Sequence, residues 1–398
     1  MKRRARLDHT RIAILGLVTI CCYGAWYYAF GVMLDLIVED TGWSYTAVSA
    51  SFSAGQVLIG VGSIAGGLLL DRRGGRMVFA LAAAIGGAAL MVVSVAHHPL
   101  VFASAAALGM GALGALGFYH VTMVAAVRTN PTEPGRAIAT LTLWGALSSA
   151  IYLPVTAWLV ESLGWRPTVR ILALSAVVAL GLAAAAVPTP PAHEPGRSTP
   201  WRTTAVALTD GAGPRAFTVA VALAGIAVSV LLVYQVPVMV AAGLPLTAAA
   251  TVAGLRGVAQ LGGRLPIGVL LERVPVRTLL VVALVAITTG AALLGVAGTV
   301  PVAVAFALSA GFGIGAWSPL QGVYSEELFD RRTLGATMGL YSAVHMSFGA
   351  VGPVLAGRIT DVVGSPRLAS LLAAGAAAAG AVVIARRHDP AEVASTVR

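Results

Sequence analysis

The chain has 398 residues, of which 58% are hydrophobic and only 11% charged. A soluble domain carries about 25% charged residues, so this surface is not made for water. The net charge of +10 would suggest nucleic acid in a soluble protein, but the placement of the basic residues gives it another origin.

In chain order, Lys2, Arg3, Arg4 and Arg6 precede an apolar run over 12–37. A secretory signal has an apolar core of ~7–15 residues and a small-residue cleavage site. This run is too long and lacks that site, so it reads as a retained first transmembrane helix. Five further runs follow at 46–70, 77–96, 100–126, 136–160 and 167–187. A polar stretch, 188–214, is rich in Pro, Gly and Thr, and its segment Trp201 to Leu208 is expected to lie on the membrane surface. Six more runs cover 215–240, 246–271, 277–297, 300–323, 334–359 and 367–385. About 20 apolar residues span a bilayer as a helix. The runs are continuous Ala, Leu, Val and Gly rather than alternating, which argues for helices and against a membrane barrel. The expected organisation is an N-terminal six-helix half (1–187), a cytoplasmic linker (188–214) and a C-terminal six-helix half with a tail (215–398). The adjacent Cys21 and Cys22 lie inside an apolar run and read as small buried residues, not as a disulfide framework or zinc site.

Charge sets the orientation. With both termini inside, Arg166, Arg170, Arg358 and Arg367 fall outside, Arg256 and Arg264 fall in the membrane, and the other 20 of 26 basic residues are cytoplasmic. This positive-inside bias accounts for the basic balance and removes the argument for nucleic acid. The chain is expected to be a multi-pass protein of the cell membrane.

The chain also repeats itself. Gly67-Leu-Leu-Leu-Asp71-Arg72-Arg73-Gly74-Gly75-Arg76 is echoed by Gly268-Val-Leu-Leu-Glu272-Arg273-Val-Pro275-Val-Arg277, with the acids 201 positions apart. Gly109-Met110-Gly111 answers Gly311-Phe312-Gly313 in the same way. An even number of spans separates the copies, so the halves run parallel, and parallel halves with a site between them are a transporter architecture.

The loop Gly67-x3-Asp71-Arg72-x-Gly74-x-Arg76 resembles the signature between helices 2 and 3 of the major facilitator superfamily. Tyr23-Gly24, Phe30-Gly31-Val32, Gly42-Trp43-Ser44, Gly164-Trp165-Arg166 and Arg264-x3-Gly268 look more narrowly like the monocarboxylate porter group, which includes the oxalate:formate exchangers. The resemblance implies an all-α integral membrane fold with twelve transmembrane helices in two parallel halves. It also implies a conformational gate at Gly67, Asp71, Arg72 and Arg76, with Glu272 and Arg273 in the second copy. Physically, a carboxylate at Asp71 can pair with an arginine or with the N-terminus of a neighbouring helix. The alternative is that these arginines only hold the loop inside. Pro275 replaces the glycine of the first copy, which weakens the second gate.

The sharpest polar signal is in the eighth span. Arg256, Gln260 and Arg264 are four residues apart and share one helix face. An arginine at the bilayer centre costs roughly 2.5–3.5 kcal/mol on the insertion scale, and no acid lies deep in any span to offset it. The natural partner is an anionic substrate, which arginine grips through two hydrogen bonds. In the resembling carriers a helix-8 arginine is the substrate anchor, and Arg264 matches it by its spacing to Gly268. Snorkelling to the interface is the other reading for Arg264. Human-type monocarboxylate carriers have an aspartate where this chain has Gln260, and a helix-1 lysine where it has Gly31 and Val32. Those departures argue against lactate-type proton symport.

His345 lies near the middle of the eleventh span, with Tyr341 one turn before it. The oxalate exchanger has a substrate-binding lysine in that helix, and His345 is expected at a comparable place. It can bind substrate, carry a proton, or simply bond a neighbouring helix. His120 is a second, weaker candidate. Tyr23, Trp26, Tyr27 and Phe30 share a face of the first span by their spacing; Tyr119, Trp144, Tyr152, Tyr234, Gln235, Trp317 and Gln321 are further cavity candidates against a background of packing aromatics. Gly109-Met110-Gly111-Ala112-Leu113-Gly114 fits a dinucleotide-binding pattern but lies in an apolar span, where close helix packing explains it. No Walker-type loop, zinc spacing or nucleophile elbow is present, so neither an enzyme nor a cofactor is expected.

The sequence therefore predicts a secondary active transporter moving a small organic anion, a mono- or dicarboxylate, by alternating access. Its expected partners are that anion, a coupled proton or counter-anion, and membrane lipids, and it is expected as a monomer. The alternative is an exporter of drugs or aromatic metabolites on the same fold.

Overall fold

A computed structural model describes residues 8–188, 206, 208–329 and 334–386. Backbone in a bilayer must satisfy its own hydrogen bonds, and the described residues form helices and turns but no strand. Among the described residues, ten helices are long and apolar enough to cross a membrane. They are α1 (His9–Thr41), α2 (Tyr45–Arg73), α3 (Gly75–Val93), α4 (Pro99–Thr129), α5 (Pro134–Leu163), α6 (Trp165–Ala186), α7 (Ala212–Ala241), α9 (Val276–Gly295), α10 (Val300–Leu328) and α12 (Pro366–Ala385). The other two are less regular. α8 (Leu246–Arg264) carries the arginines and continues as a short helix over Ile267–Leu271. α11 is made of two helices, Leu334–Gly349 and Val351–Val363. Together they give two sets of six, the fold expected from the repeat. The segment expected to lie on the membrane surface over 201–208 falls outside the described residues, except for Val206 and Leu208.

Local chemistry sets the helix ends. The Ser44 hydroxyl accepts from Ala47 N at 3.1 Å and caps α2. That helix stops where Gly74 takes a φ of +76°, a conformation that suits glycine, and its N–H donates to the Leu70 carbonyl at 3.0 Å. Pro99 and Pro134 occupy first turns, where a missing N–H costs nothing.

Two irregularities matter for the site. α1 is a π-helix over Tyr23–Tyr28, and α4 is broken by Phe118, whose backbone is extended. They meet: the Tyr23 ring stacks on Phe118 with centroids 3.6 Å apart.

The outward face is apolar, with Val61, Ile64, Leu100, Trp158 and Leu174 all more than 60% exposed. Lipid covers such a face at no cost, so the helices associate through close packing of small residues. At the crossing of α8 and α10, a Cβ on Gly311 or Gly315 would strike the backbone of Arg256 or Gln260. Glycine thus lets α10 rest directly against the arginine-bearing helix. The glycines of 109–114 do the same work, against Leu90 for Gly109, Leu58 for Gly111 and Ile59 for Gly114.

We call the side of the membrane bearing the start of α1 and the end of α12 the terminal side and the other the distal side. The two halves are joined by side chains toward the distal side. Asp361 of α11 accepts from Tyr45 N at 2.8 Å, Thr46 N at 3.0 Å and Thr46 Oγ1 at 2.5 Å, capping α2 from the opposite half. Further along α2, Ser49 bonds the Tyr234 hydroxyl at 2.7 Å and Gln56 donates to Ser229 at 2.9 Å.

Candidate functional site

A cavity of about 340 Å³ opens among α8, α10 and α11 of the second half, and Val228 of α7 also lines it. Its polar lining is Gln260, Arg264, Ser318, Gln321, Ser325, Ser342 and His345. Trp317, Met338 and Met346 supply apolar wall. Two polar atoms here are enclosed and make no hydrogen bond, Trp317 Nε1 and His345 Nδ1. Buried polar groups are rarely left so, and both belong to residues of the cavity wall.

The α8 face holds its three residues in graded burial. Arg256 is only 2% exposed, and its Nε donates to Gln235 Oε1 of α7 at 2.7 Å. Arg264 is half-buried, and its Nη2 reaches Gln260 Oε1 at a long 3.4 Å. Among the described residues neither arginine forms an ion pair with a carboxylate. Arginine stays charged in proteins, so the site carries two cations without internal neutralisation.

The first half faces them with tyrosines. Tyr27 and Tyr28 lie within electrostatic range of Arg256, and Tyr28 and Tyr119 within range of Arg264. Tyr23 gathers this group, with ring centroids 5.8 Å from Tyr27, 6.0 Å from Tyr28 and 5.5 Å from Tyr119. The arrangement can hold a small anion between guanidinium groups and phenol hydroxyls.

The structure therefore brings Arg256, Gln260, Arg264, Gln321, His345, Tyr23, Tyr27 and Tyr119 to one region. It does not bring Trp26 or Tyr341 there. Trp26 is fully buried against Phe30 and Phe102. The cause is the π-helical turn: it widens the helix, so the three- and four-residue spacing no longer keeps Trp26 on the Tyr23–Tyr27 face. Tyr28, which the spacing left out, takes its place. Tyr341 is fully buried and packs edge-on to Phe217 of α7 at 4.8 Å. Of the remaining aromatic and polar candidates, Trp317 lines the cavity, Gln235 holds Arg256, and Tyr234 bonds Ser49 across the halves. Tyr152 bonds Ser175 within the first half, and Trp144 borders a separate groove with His9. His120 bonds the Ala115 carbonyl at 2.8 Å within its own half.

At the terminal side, Asp71 pairs with Arg128 at the end of α4, and Arg128 Nη1 also donates to the Leu70 carbonyl at 3.3 Å. Arg72 and Arg76 are exposed, and Gly67 has open space around it. In the second copy Glu272 and Arg273 are exposed, and Arg277 donates to the carbonyls of Ile384 and Ala385 that end α12. Asp361, 315 residues from its partner Thr46, has no local sequence signal.

Two parallel six-helix halves, with charge and hydroxyls concentrated between them, define a membrane transporter rather than an enzyme. The family model described as Major Facilitator Superfamily matches residues 15–255 and again 217–397, and the chain belongs to that superfamily. A sequence search of curated proteins finds no match. Among solved structures, the chain is similar to a mutant of the nucleoside transporter NupG, with a TM-score of 0.82 at 15% identity over 94% of this chain and 98% of that one. It is also similar to a D-xylose–proton symporter, with a TM-score of 0.72 at 15% identity over 96% and 98%. A bacterial homologue of the lysosomal transporter Spinster, in an inward-facing and unoccupied conformation, gives 0.69 at 14% over 94% and 93%. These likenesses bear on the fold.

Proposed function

We propose that this transporter moves a small organic anion, a mono- or dicarboxylate, by alternating access. The observation that carries the reading is the pair Arg264, in the cavity wall, and Arg256, buried two turns away on the same helix, neither with a carboxylate partner among the described residues. A buried charge without a partner is costly, and a substrate carboxylate removes that cost by a bidentate pair. Arg264 is the main anchor and Arg256 the deeper one. Gln260, Gln321 and His345 complete the polar wall, and Tyr23, Tyr27 and Tyr119 form the opposite one. The resemblance to the monocarboxylate porter and oxalate:formate group supports the same substrate class. An exporter of hydrophobic compounds is not favoured, since it would leave both cations without a counter-charge.

The two halves, 1–187 and 215–398, rock about this site, with the linker 188–214 and both termini in the cytoplasm of a cell whose membrane holds the protein as a monomer. The positive-inside distribution supports this orientation. Asp71, with Gly67, Arg72 and Arg76, and Glu272 with Arg273 in the second copy, act as gates on that side. Transport is coupled to a proton or a counter-anion.

The test is uptake of labelled carboxylates into proteoliposomes by the wild type and by Arg264→Gln. It is run with and without a pH gradient, and with unlabelled anion inside. The expected result is saturable uptake that falls at least about ten-fold in the folded variant, as loss of a charge-assisted hydrogen bond implies. Response to the gradient identifies proton coupling, and response to internal anion identifies exchange. Uptake indifferent to Arg264 would remove the anchor.

A further inference from the structure

Arg256 is held by an unusual partner. It is almost wholly enclosed, and its Nε donates at 2.7 Å to a side-chain amide, that of Gln235, which is fully buried. The amide nitrogen of Gln235 in turn donates to the Leu232 carbonyl at 3.4 Å. This stretch of α7 is pressed against α1, where a Cβ on Gly31 would meet the carbonyls of Leu232 and Val233. The acceptor is therefore fixed on two sides. The Nη atoms of Arg256 make no hydrogen bond to the described residues, and they are not among the sealed polar atoms that lack a partner. The fork of the guanidinium is left without a hydrogen-bond partner among the described residues, with Tyr27 and Tyr28 of the other half within electrostatic range.

A glutamate could make the same Nε contact and would add a counter-charge. Glutamine makes the contact without that charge. We infer that Gln235 is a positioning residue that fixes the Arg256 fork while leaving its charge available to an anionic substrate. The inference rests on the anion-carrier reading. Its chemistry is specific: the shape and size of Gln235 orient the guanidinium, and its neutrality sets the preference for an anion. An acid at 235 would pair with Arg256 permanently and compete with the substrate carboxylate.

The experiment compares wild type, Gln235→Glu, Gln235→Met, Arg256→Gln and the double variant Gln235→Glu/Arg256→Gln. Each is reconstituted in proteoliposomes with a labelled carboxylate that the wild type takes up. KM and maximal rate are measured, together with thermal unfolding of the purified protein in detergent. Gln235→Glu is expected to raise KM at least about ten-fold, with maximal rate held within about two-fold and the unfolding temperature not lowered, because the new pair is buried and matched. Gln235→Met, which keeps the bulk but removes the acceptor, is expected to raise KM by about three-fold or more. In the Arg256→Gln background, Gln235→Glu should add less than about two-fold, since the two residues act as a unit.

A folded Gln235→Glu protein with wild-type KM would overturn the inference. So would an equal effect of Gln235→Glu with and without Arg256. If Gln235→Glu does not fold, Gln235→Met decides, and a wild-type KM there overturns the inference as well. These results leave the anion reading standing when the wild type still transports carboxylates. A wild type that takes up no carboxylate removes both.

Discussion

Across the centre of the molecule, α1 and α4 present Tyr23, Tyr27, Tyr28 and Tyr119, while α8, α10 and α11 present Arg256, Gln260, Arg264, Ser318, Gln321 and His345. The halves repeat one topology, and the two walls differ in chemistry. One is a set of phenols that give or take hydrogen bonds without net charge. The other is cationic. Duplication fixed where helices lie, and divergence then placed charge on one side only. On the proposed function, a bound anion is held by the second half and shaped by the first.

The largest expected effect falls on the cationic wall. Arg256→Gln and Arg264→Gln should each lower carboxylate uptake, read as kcat/KM, by about 10–100-fold, the value of charge-assisted hydrogen bonds at roughly 1.5–3 kcal/mol. Arg264→Lys keeps charge but loses the fork, and should fall between wild type and Arg264→Gln. Loss of transport from the tyrosine wall alone, with the arginine variants unaffected, would reverse the comparison.

The next effect concerns how the walls are joined. Asp361 accepts three hydrogen bonds from the start of α2 and places a negative charge at that helix N-terminus. Asp361→Ala should loosen the distal contact. In a Cys21→Ser/Cys22→Ser background carrying Ser53→Cys, thiol labelling from the distal side should rise by about ten-fold, as loss of roughly 1.4 kcal/mol or more implies. Ser53 is suited to this because its hydroxyl makes no hydrogen bond and it shares a helix face with Ser49 and Gln56. Unchanged labelling would mean that the remaining links, Ser49 to Tyr234, Gln56 to Ser229 and the α5–α8 packing where Gly254 and Gly257 meet Ser149, hold the halves without Asp361.

How much of this was legible in the sequence depends on range. The helices were legible because a bilayer forces each apolar run to satisfy its backbone internally. The α8 face was legible because four-residue spacing in a regular helix fixes a common side. Trp26 falls off the expected face, and Tyr28 onto it, because the same spacing rule fails in a π-helix, and nothing in Tyr23-Gly-Ala-Trp-Tyr-Tyr28 announces one. Tyr341 and His345 are one turn apart, yet only His345 lines the cavity, because spacing fixes a stripe and packing against Phe217 decides where each ring points. Asp361 acts on a helix 315 residues away and Gln235 on the helix that follows its own, 21 residues on; which side chains pair across helices appears only once the chain is folded.

A smaller effect is expected on the phenol wall. Tyr28→Phe removes a neutral hydroxyl within range of both arginines. Uptake should fall by about two- to ten-fold, matching a hydrogen bond of roughly 0.5–1.5 kcal/mol, and the loss should appear in KM. A loss as large as that of Arg264→Gln would give the first half an anchoring role and erase the contrast between the walls.

The smallest effect is expected at Asp71. Its partner Arg128 belongs to the same half, so this pair, unlike Asp361, does not itself tie one wall to the other. Both side chains are partly exposed, at 35% and 20%, and solvent screening limits such pairs to about 0–1 kcal/mol. Asp71→Asn keeps the shape and one acceptor. It should shift the unfolding temperature by no more than about 2–3 °C, with distal labelling at Ser53→Cys unchanged. If Asp71 gates as proposed, uptake should fall further than that stability change accounts for, because the cost then arises in a conformation where the carboxylate has a second partner. Uptake that tracks stability alone would reduce the loop to a device for topology.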